Sequence, residues 1–151
     1  RETDIGLVRS RPETGNLAIR KSVQVAHAVY RPAGTDGLPL PWVSIGTQSA
    51  HSPADRWVFE HHEADIRTWA NAPDLLLRLI CAGNGRGLLP CFIGDRRPDL
   101  TRDGLIIEEL THTLWIVAHD DDRHRPEMRL VVDRLAALFK RNADSFAGRT
   151  G

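Results

Sequence analysis

Residues 71–93 constrain the fold more than any other stretch. Leu75, Leu76, Leu79 and Ile80 recur at helical spacing, with Leu77 widening the stripe, so this segment predicts an amphipathic helix. Asn71 is the expected N-cap, Pro73 suits the first turn, and Asp74 complements the positive end of the helix dipole. Gly83-Asn84-Gly85 should stop the helix, since glycine or asparagine takes the left-handed cap conformation at little cost. Leu88 to Ile93 then reads as a buried extended segment whose hydrogen-bonded ladder is interrupted at Pro90.

The flanking sequence repeats the alternation. Asp4–Val8 and Leu17–Tyr30 read as extended segments, residues 31–39 as a Gly/Pro loop, and Trp42–Ile45 as a strand. Ser52, Pro53 and Asp55 mark a helix start, with the helix ending near His61-His62. Ile66–Ala70 and Thr113–Ala118 are further strands, and Pro126 opens a last helix carrying Met128, Val131, Val132, Leu135, Leu138 and Phe139. Strands alternating with helices predict an α/β fold with layered helices.

Charge narrows the function. The chain has 20 basic and 20 acidic residues among 151, so no net field favours nucleic acid. Arg96, Arg97 and Arg102 are interleaved with Asp95, Asp99 and Asp103, which reads as a solvated, charge-mixed loop. Two cysteines, Cys81 and Cys91, are too few for a disulfide scaffold and sit in apolar flanks typical of small core residues. The sequence offers no membrane-length apolar run and no signal peptide at its start, making a cytoplasmic location the default expectation.

The motifs that suggest chemistry fail on spacing. Gly83–Gly87 has the glycines of a dinucleotide loop in reversed order, helix before strand, whereas phosphate binding needs a helix N-terminus after them. His61-His62-Glu63 lacks the two-histidine, four-apart pattern of a metallohydrolase helix, and 119–124 lacks the glycine and distal Glu of a calcium loop. None of the serines lies in a Gly-x-Ser-x-Gly elbow. No metal, cofactor or catalytic residue is therefore expected. Thr47, Gln48 and Ser49 are more polar than capping by Ser52 requires, and they follow a strand, where open α/β sheets bind ligands.

Ala82-Gly83-Asn84-Gly85-Arg86-Gly87-Leu88-Leu89-Pro90 after a leucine-rich helix resembles the helix–turn–strand signature of LysR-type effector domains, with Arg86 departing from the usual apolar residue. Asp4–Arg9, Cys91–Asp95 and Leu114–Val117 through Phe139 resemble further family segments in the same order. The resemblance implies a fold similar to type II periplasmic binding proteins: two α/β subdomains joined by crossover strands, with the first subdomain incomplete. Residues 1–24 and 120–151 would belong to the first and 25–119 to the second. It further implies a small-molecule effector, a homodimer or tetramer, no membrane, and DNA contact only through an N-terminal winged helix-turn-helix outside this chain. The effector positions carried over are Arg9 and Ser10 after the matched strand, Thr47, Gln48 and Ser49, and Asn71 and Ala72, with Arg9 and the polar donors favouring a small carboxylate. A solute-binding protein of a transport system is the alternative, and an enzyme on the same scaffold a third.

Overall fold

The computed structural model describes residues 5–12, 17–119 and 126–149. In chain order it contains β1 (Ile5–Val8), β2 (Leu17–Val25), β3 (His27–Pro32), β4 (Trp42–Ile45), α1 (Pro53–His62), β5 (Ile66–Ala70), α2 (Pro73–Cys81), β6 (Gly87–Pro90), α3 (Cys91–Gly94), β7 (Leu100–Arg102), β8 (His112–His119), α4 (Pro126–Arg141) and α5 (Ala143–Phe146). The chain divides into two compact units, Ala26–Leu110 and a second made from both chain ends, Arg1–Val25 with Thr111–Gly151.

The contiguous unit is layered. β3 pairs antiparallel with β6 and β7, and β4 runs parallel to β5. A bridge between Trp42 and Arg86, supported by Val43 N–H donating to the Arg86 carbonyl at 2.8 Å, ties β4 to the segment entering β6. Strand periodicity sorts the side chains between two cores. Ala28, Tyr30, Val43, Ile45 and Leu89 pack with Leu76 and Ile80 of α2, while Val29, Trp42 and Leu88 pack with Val58 of α1. Both faces are covered, so β4 is buried along its whole length.

Local chemistry sets the helix ends. Ser52 caps α1, its Oγ accepting from Asp55 N–H at 3.2 Å, and the Asp55 carboxylate accepts from His51 N–H at 2.9 Å. Ser52→Ala is expected to cost about 1 kcal/mol, read as a lower urea midpoint with unchanged slope. α2 ends in paired reverse bonds, Asn84 N–H to the Leu79 carbonyl at 3.1 Å and Gly83 N–H to Ile80 at 3.0 Å, with Gly83 at φ +91°. At Gly85, φ +140°, a Cβ would lie 2.4 Å from the Pro41 carbonyl oxygen, so the glycines serve a tight return rather than a phosphate.

Three expectations are corrected. The α2 N-cap is Ala72, not Asn71, because Pro73 fixes the first helical position one residue later than expected, and the alanine has no side-chain oxygen to make a capping bond. Residues 91–93 are not strand: the chain turns at Pro90 into α3, anchored by Cys91 N–H donating to the Ala26 carbonyl at 2.9 Å. Residues 111–119, expected with the second subdomain, belong to the unit of the chain ends, because β8 is the middle strand of its β1-β8-β2 sheet. There β8 pairs antiparallel with β1 and β2, the latter with a register irregularity between Lys21 and Val23. Met128 and Phe139 of α4 are buried. The expected loop after β8 falls largely on residues 120–125, outside the described residues.

Candidate functional site

β4 ends in a turn that delivers the polar loop. Gly46 N–H donates to the Ala70 carbonyl of β5 and Ser49 N–H to the Gly46 carbonyl, both at 2.9 Å. Since Ser52 and Asp55 complete the cap of α1 between them, the side chains of Thr47, Gln48 and Ser49 are left without a hydrogen bond to any described residue. They line an open hollow of about 430 Å3 together with Gly46, Glu63 and Trp69. Trp69 is 46 % exposed, its ring tilted against Phe59 at 6.5 Å. The hollow thus combines hydroxyl and amide groups, one carboxylate and an open indole.

Three of the seven expected effector residues are gathered here: Thr47, Gln48 and Ser49. Asn71 is exposed and Ala72 half-buried, and neither lines the hollow. Arg9 and Ser10 follow β1 in the other unit. Glu63 and Trp69 escaped sequence reasoning. Strand parity held a signal for Trp69, which shares an outward side with the exposed Arg67 while Ile66 and Ala70 are buried.

The remaining polar clusters are structural. His62 stacks on Trp42 at 4.1 Å and His61 on Trp57 at 4.8 Å. Burial, and then the neighbouring Arg86, hold the His62 imidazole below its ordinary range. The Arg86 guanidinium lies 4.6 Å from the Trp42 ring centre. Among the described residues no group of three or more His, Cys, Asp or Glu is placed to hold a metal ion. Cys91 is buried and Cys81 half-buried, and burial raises both thiols.

The charge-mixed segment 95–103 is not simply solvated. Buried Arg31 donates to Asp103 Oδ2 from Nε at 3.1 Å and from Nη2 at 3.0 Å, and Arg86 Nη1 approaches the same oxygen at 3.3 Å. Asp95 accepts from the Tyr30 hydroxyl at 2.7 Å and from Arg102 at 2.6 Å. Burial foremost, with Asp95 adding to it, pushes the Tyr30 phenol well up.

Among the described residues no helix is long and apolar enough to cross a membrane. No protein-family model matches the chain, and no curated protein does. Solved structures do. The regulatory domain of CrgA, a LysR-type transcriptional regulator from Neisseria meningitidis, superposes with a TM-score of 0.65 at 16 % identity, covering 91 % of this chain and 76 % of that one. The Synechocystis PCC6803 CcmR regulatory domain in complex with 2-PG gives 0.64 at 15 %, covering 92 % and 74 %. Full-length CbnR complexed with its target DNA gives 0.61 at 15 %, covering 93 % of this chain and 53 % of that one, so the chain spans about half the length of the full regulator. The chain therefore has the fold of LysR regulatory domains, an α/β architecture of the type II periplasmic-binding-protein kind.

Proposed function

We propose that this chain is the effector-sensing part of a LysR-type transcription regulator and is not an enzyme. The observation that carries this reading is the fold match to regulatory domains over more than nine-tenths of the chain. CcmR was solved with 2-PG on its regulatory domain, and CbnR with DNA in its full-length form. By the same logic the present chain would sense a small molecule, assemble as a dimer or tetramer, and reach DNA through a winged helix-turn-helix elsewhere in a longer polypeptide. The equal numbers of acidic and basic residues support that division of labour. Effector binding would shift the balance between two arrangements of the subdomains, and with it the spacing of the DNA-binding heads.

The effector site is assigned to Thr47, Gln48 and Ser49, with a small carboxylate as the ligand. The unpartnered polar side chains of residues 47–49 support this. Glu63 and Trp69 in the same hollow favour a second ligand class, one carrying an ammonium group, through charge pairing and cation–π attraction.

A thermal-shift screen with small dicarboxylates and amino acids tests both. A ligand at a hundred times its Kd is expected to stabilise by about 2.7 kcal/mol. Gln48→Ala should reduce that gain, while Glu63→Gln should enhance carboxylates and weaken ammonium ligands. No stabilisation by either class, or indifference to Gln48→Ala, would remove the site assignment.

A further inference from the structure

His62 ends α1 against the start of β4, where its ring stacks on Trp42 at 4.1 Å with the two planes 12° apart. Trp42 is 4 % exposed, and the Arg86 guanidinium lies 4.6 Å from its ring centre. Trp57, earlier on α1, packs against both, its ring centre 6.1 Å from that of Trp42 and 5.4 Å from that of His62. A weakly basic ring thus closes an aromatic cluster beside a permanent cation. The carboxylate that answers Arg86 is already shared, since Asp103 Oδ2 also accepts from Arg31.

We propose that His62 is an acid-sensitive clasp: neutral, it seals the C-terminal end of α1 onto Trp42, and protonated, it loosens that end while the rest of the unit stays folded. An imidazolium in the stack would set a second cation beside Arg86 and give up part of its water. The charges that act on His62 are Arg86 and His61, which oppose its protonation, and Asp65, which favours it. The negative end of the α1 dipole favours it as well. Glu108 and Glu109 are exposed, on the segment that packs Ile107 and Leu110 against the same cluster. Burial and then Arg86 prevail, so the proton is held more weakly in the closed clasp than in the open one. Closure is therefore strongest above the ordinary histidine range. It weakens as pH falls below that range and levels off once the closed His62 is itself protonated. Glu63 follows in the chain and lines the hollow, so an opened clasp would disturb that site; this coupling alone rests on the effector reading.

The test is amide hydrogen exchange of the ligand-free 151-residue protein at about pH 7.5 and pH 5.5, each variant compared with the parent at the same pH. Without ligand, the outcome is independent of the effector assignment. His62→Phe keeps a flat ring against Trp42 but cannot take a proton. Opening of the last-turn amides of α1 is expected to rise severalfold on acidification in the parent and to stay level in His62→Phe. The ceiling is about tenfold, for a histidine that titrates near 6.5 once released. His61→Gln, at an exposed position of the same turn, should still show the rise. The amide of Ile80, fully buried in α2, should show none. If His62→Phe does not fold, His62→Gln takes its place with the same expectation. No rise in the parent overturns the proposal. So does an equal rise in the His62 variant, or the same rise at Ile80.

Discussion

Gly94→Ala is expected to destabilise the contiguous unit by about 3 kcal/mol, lowering its melting temperature by about 15 °C. Gly94 sits in α3 with its missing side chain directed at Tyr30, and a Cβ there would lie 2.4 Å from Cζ and 2.5 Å from both Cε atoms. Tyr30 has little room to yield. It is only 1 % exposed, and its hydroxyl is fixed on Asp95 at 2.7 Å. Moving the ring either breaks that bond or forces the rotamer, and a buried polar group that loses its partner pays its full desolvation. The measurement is thermal unfolding followed by tryptophan fluorescence, since Trp42, Trp57 and Trp69 all lie in this unit. Gly46→Ala is the control: its nearest neighbour would be the Ala70 carbonyl oxygen at 3.8 Å, and its melting temperature should stay close to that of the parent. A Gly94→Ala protein that melts with the parent would show that the Tyr30 ring is not held as described.

Asp103→Ala is expected to cost about 3 kcal/mol by stranding a buried charge. The Arg31 side chain is 6 % exposed, and without Asp103 it keeps only backbone carbonyls, among them that of Leu38 at 3.0 Å. Carbonyl dipoles do not neutralise a guanidinium removed from water. The partial exposure of Asp103 and Arg86 places the cost at the lower end of values for breaking buried pairs. Urea unfolding should show a lower midpoint with a similar slope. The companion Arg31→Met/Asp103→Ala protein should recover much of the loss, because replacing both charges removes the desolvation along with the attraction. If the double variant is as unstable as the single one, Arg31 matters for its packing and not for its charge.

The chain disclosed its local structure better than its partnerships. Ser52, Pro53 and Asp55 act within one turn, so the start of α1 could be read from spacing alone. Gly83 and Asn84 likewise announced the end of α2, a feature confined to six residues. Asn71 misled because side-chain preference was weighed above the proline that fixes the helical start one residue later. Arg31 and Asp103 stand 72 residues apart, and no local pattern distinguishes their bridge from a solvated charge. The hollow shows the same division. Thr47–Ser49 stood out because they exceed what a cap needs, whereas Glu63 and Trp69 arrive from beyond α1 and join the loop only through the fold.

The placement of β8 fixes an order of events during synthesis. Ile5 pairs with Ala118, so the sheet of the chain-end unit lacks its middle strand until the ribosome has passed residue 118. Residues 26–110 form their own contacts without either end, and closing them first brings Val25 and His112 toward their pairing distance. The inserted unit therefore acts as a scaffold that shortens the search between two strands more than a hundred residues apart, lowering the loop-closure entropy of a slow, non-local pairing. Until then β1 and β2 lack their shared partner strand, and vectorial synthesis leaves them exposed to competing strands for the longest interval of any pair in the chain.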